Sequence, residues 1–407
     1  MNIVHLSDIC DLQNGFAFKS DDYIEHSTTL NCRMSNIRPD GNFDIEYNPK
    51  YLPDSYTQKY KDFLLKDGDI VIAMTDMAND PKILGVPTIV DTKGYDLLLN
   101  QRVGKLIFHK KDEVDVRFLQ YSLNRKSVRK YYTQFAGGGL QLNVGKKEIL
   151  SVKIPLPPLP QQQKIANILD AADALRQNDK ALIAKYDELT QALFLDMFGD
   201  PVSNPKGWEK VELKYFIYKL NTGVSVNSED GSYEGGKYFI LKTSCVYSGI
   251  FDPKQVKTIR EDEIQRAKLN PKKDSIIISR MNTSELVGKS AYIFSDFPSI
   301  YLPDRLWQTE KTNLEHSVLW LSYNIGHKSF MNEISKISSG TSGSMKNISK
   351  SSFLELKSIN PPLELQNQFA ERVAVIEEQK AIAQKSLEHS ESLFNSLLQK
   401  AFKGELI

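Results

Sequence analysis

The stretch Pro155-Leu156-Pro157-Pro158-Leu159-Pro160-Gln161-Gln162-Gln163-Lys164-Ile165-Ala166 decides how the chain is organised. Prolines cannot continue a helix but are well suited to the residues just before its first turn, so this stretch predicts the start of a helix. A related stretch, Asn360-Pro361-Pro362-Leu363, follows 204 residues later in register with it. A repeat of half the chain indicates a duplicated unit rather than a short solenoid repeat.

Each proline stretch is followed by residues spaced alternately by threes and fours, which is the heptad pattern of a coiled-coil seam. The first helix ends near Gly199 and the second near Gly404. The predicted seam of the first helix is Ile165, Ile168, Ala172, Leu175, Asp179, Leu182, Tyr186, Leu189 and Leu193. That of the second is Phe369, Val373, Ile376, Lys380, Ala383, Leu387, Ser390, Phe394, Leu397 and Ala401. We expect the helices to pack on each other; the alternative is that each is buried against its own domain.

The sequence between the helices also repeats. Asn143 and Lys146 fall on Asn347 and Lys350, and the β-branched segment 69–74 aligns with 275–280. Short segments of this kind, bounded by Gly, Asp, Asn or Pro, predict strands, whereas the spacing around 118–132 and 318–334 is helical. The sequence therefore predicts an α+β protein made of two duplicated mixed α/β domains and two long helices. The predicted boundaries are 1–154 for the first domain, 155–199 for the first helix, 200–358 for the second domain and 359–407 for the second helix.

Composition limits the possible classes of protein. The 407 residues are enough for two or more domains, and no apolar run is long enough for a membrane span. The N-terminus lacks a signal-peptide pattern. Three scattered cysteines without a CxxC motif favour a reducing cytoplasm over a disulfide or zinc framework, and no metal site is expected.

Charge is distributed unevenly although the net charge is only +1. Residues 161–200 carry 4 Lys or Arg against 7 Asp or Glu, and residues 363–407 carry 5 against 7. The helices are therefore acidic and the rest of the chain is mildly basic, a distribution that permits nucleic-acid binding without establishing it.

Four stretches of the sequence form a characteristic set: Gly15-Phe16-Ala17-Phe18-Lys19-Ser20, the strand at 68–74, Asn100-Gln101-Arg102 and the proline-glutamine helix start at 155–166. Together they resemble the specificity subunit of type I restriction-modification systems, and the resemblance covers essentially the whole chain. The second helix start departs from this pattern, reading Asn360-Pro361-Pro362-Leu363-Glu364-Leu365-Gln366.

The resemblance implies a non-catalytic reader of DNA. Its two target-recognition domains would each bind one half of a split double-stranded site, and its helices would space them and dock two adenine methyltransferase subunits. The motor-nuclease subunits would join that complex. No cofactor is implied for this chain, and S-adenosylmethionine is expected in the modification subunits.

An approximate dyad in a split DNA site would require the two helices to run antiparallel. About 38 helical residues span roughly 57 Å, so the helices could separate two domains by one to two DNA turns of about 34 Å each. The polar seam residues Asp179 and Lys380 would then be candidates to meet, or each could face solvent.

Base readout requires Arg, Lys, Asn or Gln side chains at groove edges. Surface arginines are common, so these are candidates only. In the first domain they are Lys19, Arg33, Asn36, Arg38 and Arg102. In the second they are Lys242, Ser244, Arg280, Asn282 and Arg305. Four aromatic residues are expected in the core rather than on a stacking surface: Tyr47, Tyr51, Trp307 and Trp320.

The glycine-containing loop before each helix suits phosphate contact, because backbone N–H groups and lysines bind phosphates without reading sequence. Residues 137–147 align with 341–350. The candidates are Gln141, Asn143, Lys146 and Lys147 in the first loop, and Lys346, Asn347 and Lys350 in the second. The alternative is that each loop is an ordinary solvated connection.

Two short motifs raise the rival hypothesis of an adenine methyltransferase. Phe135-Ala136-Gly137-Gly138-Gly139 matches a cofactor-binding FxGxG, and Asn360-Pro361-Pro362-Leu363 differs by one residue from the NPPY that holds a flipped adenine. However, Leu363 cannot stack on a base as an aromatic ring does, and no clear buried strand precedes the glycines. A third hypothesis is a coiled-coil scaffold that binds only proteins.

Overall fold

The computed structural model of the chain describes residues 2–231, 233, 237–340 and 345–406. They form two compact units, one consisting of Met1–Asp179 with Ser386–Ile407 and the other of Lys180–Lys385. We call these the first and the second unit. Each unit combines an α+β domain with parts of both long helices.

The first unit is built on two four-stranded sheets and a layer of helices. Its strands are β1 (Ile3–His5), β2 (Cys10–Asn14), β3 (Thr29–Cys32), β4 (Tyr51–Leu52), β5 (Leu64–Leu65), β6 (Ile70–Ala73), β7 (Thr75–Met77), β8 (Pro87–Ile89), β9 (Asp96–Leu99), β10 (Val103–Phe108), β11 (Gln141–Asn143) and β12 (Lys153–Pro155). Its helices are α1 (Tyr56–Lys59), α2 (Val116–Leu123), α3 (Lys126–Phe135), α4 (Lys146–Leu150) and the first part of α5 (Leu159–Phe198).

Strand β6 is apolar throughout because both of its faces are covered. It lies in an antiparallel sheet of order β2-β10-β6-β8, beside a second sheet of order β4-β3-β9-β5 in which β3 and β9 are parallel. Side chains alternate between the faces of a strand. Ile70 and Ile72 accordingly pack with the helices, whereas Val71 and Ala73 pack with the second sheet.

The second unit repeats this architecture. Its strands are β13 (Lys210–Glu212), β14 (Ile217–Thr222), β15 (Ser228–Glu229), β16 (Phe239–Leu241), β17 (Val256–Ile259), β18 (Ser275–Ser279), β19 (Met281–Asn282), β20 (Ser290–Ile293), β21 (Ile300–Tyr301), β22 (Leu306–Lys311), β23 (Lys346–Asn347) and β24 (Lys357–Ile359). Its helices are α6 (Val318–Gly326), α7 (Lys328–Ile337), α8 (Lys350–Leu354) and much of α9 (Leu363–Lys403). The sheets have the orders β14-β22-β18-β20 and β15-β17-β16-β21. Trp307 and Trp320 lie in the core, as predicted.

The two long helices pack antiparallel, and the contacts within each unit show it. In the first unit, Ile165 and Leu169 near the start of α5 share an apolar cluster with Phe394 and Ala401 near the end of α9. In the second unit the ends are exchanged. There the Phe198 ring, at the end of α5, meets the Phe369 ring, near the start of α9, edge to face at 5.5 Å between centroids.

The predicted seam of α9 coincides with its buried and half-buried positions. Phe369, Val373, Ala383, Ser390, Phe394 and Ala401 are buried, while Ile376, Lys380, Leu387 and Leu397 are half-buried. On α5, Ile165 and Ala172 are buried and four other predicted positions are half-buried: Ile168, Asp179, Tyr186 and Leu193.

The predicted seam of α5 is wrong at three positions. Leu175, Leu182 and Leu189 are 52%, 41% and 50% exposed. The less exposed positions lie one residue later, at Arg176, Ile183 and Thr190. In a heptad, steps of three and four residues alternate, and the sequence alone does not say which step comes first. Hydrophobicity favoured the three leucines, because two of the observed positions, Arg176 and Thr190, are polar.

Arg176 can occupy the seam because its charge is paired and its guanidinium lies on an aromatic ring. Its side chain is 15% exposed, forms an ion pair with Asp173 and lies 4.4 Å from the centroid of Phe394. Cation–π contact of this kind tolerates partial desolvation. The polar residue therefore contributes to the packing of the first unit.

The polar seam residues Asp179 and Lys380, predicted as candidates to meet, have different partners. Asp179 accepts a hydrogen bond of 2.8 Å from the Ser390 hydroxyl. Lys380 forms an ion pair with Asp187 and lies 3.9 Å from the Glu377 carboxylate. The prediction of an Asp179–Lys380 pair is therefore wrong.

Candidate nucleic-acid interface

In each unit a short β-ladder joins the loop before the long helix to the end of the central strand. In the first unit, β7 follows β6 directly and pairs with β11, so that Thr75 lies opposite Asn143. In the second, β19 follows β18 and pairs with β23, so that Met281 lies opposite Asn347. Residues 341–344 of the second loop, which belong to the predicted phosphate-contact loop, lie outside the described residues.

Parallel strands bring further polar residues to the ladder of the first unit. Strands β3 and β9 end side by side, and the N–H of Asn100, just after β9, donates to the Cys32 carbonyl at 3.1 Å. The Asn100 side chain accepts from the N–H of Arg102 at 3.1 Å, and the Arg102 carbonyl accepts from Met74 at 2.9 Å. We call the resulting group the first polar edge: Arg33, Arg102, Gln141 and Asn143.

The second unit builds the corresponding group in the same way. Lys242 follows β16, and Arg305 follows the parallel strand β21. The N–H of Arg280 donates to the Arg305 carbonyl at 3.1 Å. The Asn282 amide donates to the Tyr247 hydroxyl at 2.7 Å, which joins the ladder to the segment that begins at Lys242. We call this group the second polar edge: Lys242, Arg280, Arg305, Lys346 and Asn347.

Positive charge is concentrated at the second polar edge. The Lys350 ammonium donates to the Leu220 carbonyl at 2.6 Å. Burial lowers the pKa of Lys350, and the neighbouring charges of Arg280 and Lys219 lower it further. Lys346 donates to the Gly340 carbonyl at 3.0 Å. An anion bound here would relieve the repulsion between these cations.

Asp304 offsets part of this charge. The Arg280 Nε donates to the Asp304 carbonyl at 2.6 Å, and its Nη2 lies 3.7 Å from the Asp304 carboxylate. This contact fixes the direction of the guanidinium, whereas the neighbouring Arg305 side chain is exposed. The second polar edge thus offers one restrained arginine and one exposed arginine.

The first polar edge carries less free charge. The Lys146 ammonium lies 2.8 Å from the Asp11 carboxylate, and this hydrogen bond is the main cause of the lowered pKa of Asp11. Both side chains are exposed, so the pair contributes little to stability and can exchange partners. Lys147 is exposed, and the Asn143 amide oxygen accepts from the Thr75 hydroxyl at 2.7 Å.

Two predicted reading residues are wrong, because their amides are used inside the fold. Asn36 is buried, accepts from the N–H of Arg33 at 2.8 Å and donates to the Asp44 carbonyl at 3.0 Å. Asn282 is buried as well, and besides its bond to Tyr247 it accepts from the N–H of Thr283 at 2.9 Å. Neither amide is free to bind a base edge.

Three other candidates have contacts that connect them elsewhere in their units. The N–H of Lys19 donates to Asp22 at 2.6 Å, although its side chain is exposed. The Ser244 hydroxyl donates to the Gln255 amide oxygen at 2.9 Å. The Arg38 guanidinium lies 4.1 Å above the Tyr47 ring. Tyr47 is 50% exposed, so the prediction that it lies in the core is wrong. Tyr51 is half-buried.

Sequence reasoning missed Lys219, whose charge acts on Lys350 from strand β14. A signal was present, because the buried Ile217 and Leu220 flank an exposed pair, Tyr218 and Lys219. The repeat did not point to Lys219, because the equivalent residue of the first unit is Asp11, whose charge is opposite.

The structure does not support a methyltransferase site at either short motif. The glycine run at 137–139 follows helix α3, whereas the cofactor loop of a methyltransferase follows a buried strand. Asn360-Pro361-Pro362-Leu363 lies between strand β24 and the first residue of α9. Both motifs are connections between secondary-structure elements.

Within the described part of the chain, no three His, Cys, Asp or Glu side chains come together in a way that could hold a metal ion. None of the helices described there is both long and apolar enough to cross a membrane.

Comparison with protein families decides the class of the chain. The family described as "Type I restriction modification DNA specificity domain" matches residues 1–185 and, a second time, residues 205–389. The chain belongs to this family. The two matches fall on the two halves of the repeat, which confirms the resemblance predicted from the sequence.

Individual relatives agree with this assignment. The MjaVIII specificity subunit of Methanocaldococcus jannaschii is 32% identical over 199 residues, which cover 47% of this chain and 45% of that subunit. The match thus spans less than half of that relative. The EcoKI specificity subunit of Escherichia coli K12 is 24% identical over 439 residues, which cover 99% of this chain and 89% of that subunit.

Two solved structures show the same fold. A type I restriction-modification S subunit from M. genitalium has 16% sequence identity and a TM-score of 0.57. The match covers 98% of this chain and 96% of that subunit. A chain from a type I R-M complex has 17% identity and a TM-score of 0.50, with coverage of 100% and 98%. The curated relatives are named specificity subunits of type I restriction enzymes.

Proposed function

We propose that the chain binds a split double-stranded DNA site, with one half-site on each polar edge. The observation that carries this proposal is the repetition of the edge. The same ladder and the same pair of parallel strand ends present different side chains in the two units. A constant scaffold with different polar side chains is what two readers of different sequences require.

Two kinds of contact follow from the side chains at the edges. Lys146, Lys147, Lys346 and Lys350 are suited to phosphates, which position a protein on DNA. Arginine and amide side chains are suited to base edges. Two such atoms are buried without a hydrogen-bond partner among the described residues: Arg33 Nη1 and Asn347 Oδ1. An unpaired buried polar atom costs free energy. A hydrogen bond from a bound base to either atom would remove that cost.

The helices are suited to spacing and docking. Helix α5 has 40 residues and α9 has 41, and about 1.5 Å per residue gives roughly 60 Å. This length exceeds one DNA turn of about 34 Å. The exposed Leu175, Leu182 and Leu189 would contribute to docking of two modification subunits, which would bring S-adenosylmethionine. The restriction subunits would join this complex, which we place in the cytoplasm.

The proposal is tested by the affinity of the chain, with its neighbouring modification subunit, for duplex DNA. We expect the affinity to fall steeply with salt. Arg102→Gln and Arg305→Gln should each weaken binding about 5- to 150-fold, as expected when a base contact worth about 1–3 kcal/mol is lost. Arg260→Gln is the matched control, because Arg260 is an exposed arginine outside both edges.

The same measurement separates the rival functions. Binding that is absent or insensitive to salt would contradict the proposal and favour a protein scaffold. Transfer of labelled methyl groups to DNA by the purified chain alone would favour the methyltransferase instead.

A further inference from the structure

We propose that a pocket on helix α3 of the first unit binds a backbone phosphate of the DNA beside the first half-site; this inference rests on the proposed function. The pocket is a cavity of about 220 Å³. It is smaller than the roughly 300–1,000 Å³ typical of sites for larger organic ligands, which suits a small group such as a phosphate. Its lining residues are Pro81, Leu84, Lys126, Arg129, Lys130 and Thr133.

The charge of the pocket is one-sided. Lys126, Arg129 and Lys130 are spaced by three and four residues and therefore share one face of α3, where like charges repel. No carboxylate is among the lining residues. Neither Lys126 nor Lys130 forms an ion pair with any residue that the structure describes. Their repulsion is therefore not relieved by the protein itself.

Nearby acidic groups are already engaged. The Asp80 carboxylate pairs with Lys82 at 2.8 Å. The Asp76 carboxylate accepts from the backbone N–H groups of Ile83 and Leu84, the latter at 2.9 Å. Both carboxylates thus hold the loop between β7 and β8; of the two, Asp76 also acts on Arg129, where its charge opposes part of the lowering of the pKa by burial.

Arg129 is held in position for an anion. Its Nη2 donates to the Lys82 carbonyl, and its Nη1 lies 3.5 Å from the Pro39 carbonyl. These neutral acceptors orient the guanidinium without neutralising it, and its burial lowers the pKa of Arg129. A planar guanidinium that is fixed in this way is suited to a phosphate.

The pocket adjoins the first polar edge. Asp76 belongs to β7 of the ladder, and its carboxylate binds the backbone of Leu84, which lines the pocket. In the other direction, α3 leads through the glycine-containing loop to β11, the partner of β7. The pocket is thus connected to the ladder through Asp76 and Leu84, and the inference places a backbone phosphate of DNA bound at the ladder in the pocket.

The second unit has only one of the three corresponding charges, Lys328. Helices α3 and α7 both begin with Lys-Ser, and alignment of these helix starts places Met331 and Asn332 where α3 has Arg129 and Lys130. A glycine faces the same helix position in both units. A Cβ on Gly85 would meet Tyr132, and a Cβ on Gly288 would meet Ile334, two residues at equivalent positions of α3 and α7. The extra phosphate contact therefore belongs to the first half-site only.

The test is the salt dependence with which the full chain binds a DNA duplex. The duplex contains the motif that is methylated when the chain is expressed with its modification subunit. Each phosphate contact contributes about 0.9 to the slope of log K against log salt. We expect Lys126→Gln with Lys130→Asn to lower the slope by about 1–2 and to leave the recognised sequence unchanged. The control is Lys328→Gln with Lys336→Gln, which removes the same charge from α7 and should leave the slope unchanged.

Several outcomes would overturn the inference. An unchanged slope in the α3 variant would do so, as would an equal loss in the α7 control, which would indicate a general effect of charge. Binding of inorganic phosphate to the pocket without any contribution to the slope would indicate a site for a free anion. If the unaltered chain shows no salt-sensitive binding, the proposed function fails first and the inference fails with it.

Discussion

The buried side chains of Gln162 and Gln366, equivalent residues of the 204-residue repeat, make matching hydrogen bonds at the starts of α5 and α9. Gln162 accepts from the N–H of Asp115 at 3.0 Å and donates to the Pro157 carbonyl at 2.8 Å. Gln366 accepts from the N–H of Ser317 at 3.0 Å and donates to the Pro361 carbonyl at 2.9 Å. One amide in each unit thus ties a long helix to its domain.

Replacement of either glutamine by leucine should destabilise the chain. Gln162→Leu or Gln366→Leu would leave a buried N–H and a buried carbonyl without partners, at a cost of about 1–3 kcal/mol for each unsatisfied group. The free energy of unfolding, measured with a denaturant, checks this. Gln163→Leu is the control, since Gln163 is exposed and should change stability by less than about 0.5 kcal/mol. Equal effects of the three substitutions would contradict the assigned role.

The corrected seam of α5 predicts different costs for two leucines of one helix in the same unit. Leu169 is 0% exposed, so Leu169→Ala should cost about 2–5 kcal/mol. Leu175 is 52% exposed, so Leu175→Ala should cost less than about 1 kcal/mol. Denaturant unfolding of the isolated chain compares them directly. If Leu175→Ala cost more, the seam predicted from the leucines would be right after all.

Two glycines are required because the chain passes close to another backbone. A Cβ on Gly15 would lie 2.2 Å from the Asn100 carbonyl oxygen, and one on Gly223 would lie 1.7 Å from that of Leu302. Gly15→Ala and Gly223→Ala should therefore each cost about 1–3 kcal/mol or more. Gly137→Ala has no atom within 4 Å of its new methyl group and is the control. Thermal unfolding that ranks all three variants alike would contradict this explanation.

The second unit should show a pH dependence that arises from Glu377. Burial raises the pKa of Glu377 above its ordinary value of 4.5; Lys380 opposes this rise and Asp187 adds to it. A raised carboxyl pKa means that the folded state favours the protonated form. The stabilisation from this group is therefore complete below about pH 4.5 and is lost as the pH rises through the folded pKa.

Glu377→Gln removes this pH dependence. The variant should melt higher than the unaltered chain at neutral pH, and the difference should shrink toward pH 4.5. Melting temperatures across this range measure it, with Glu378→Gln, an exposed neighbour, as the control. A variant that is less stable at neutral pH would show that the contact of Glu377 with Lys380 outweighs its burial.

The repeat predicted much of the fold because it pairs each residue of one half of the chain with an equivalent residue of the other half. Hydrophobic spacing, in contrast, is read within one helix at a time. It would also have corrected the seam of α5. When the seam of α9 is moved back by 204 residues, Phe394 and Lys380 fall on Thr190 and Arg176, two of the positions that hydrophobicity missed. Polar residues in a seam depend on partners such as Asp173, and spacing alone does not reveal those partners.

The candidate reading residues were harder to predict than the fold. Asn36 and Arg33 are close in sequence and were both predicted to read bases. The Asn36 amide is hydrogen-bonded to the backbone, whereas Arg33 keeps a guanidinium nitrogen without a partner among the described residues. Composition and strand ends predict where polar residues gather. Which of their atoms remain free depends on hydrogen bonds made after the chain has folded, as with Asn282 and Tyr247.

The most direct test of the account is a methylation map. The chain would be expressed with its neighbouring modification subunit in a host without adenine methylation, and modified adenines would be located across the genome. We predict a split motif with an undefined spacer, one half of which changes when the recognition domain of the first unit, residues 1–154, is exchanged for that of a related subunit. An unbroken motif, or methylation that persists without this chain, would contradict the assignment of one half-site to each polar edge.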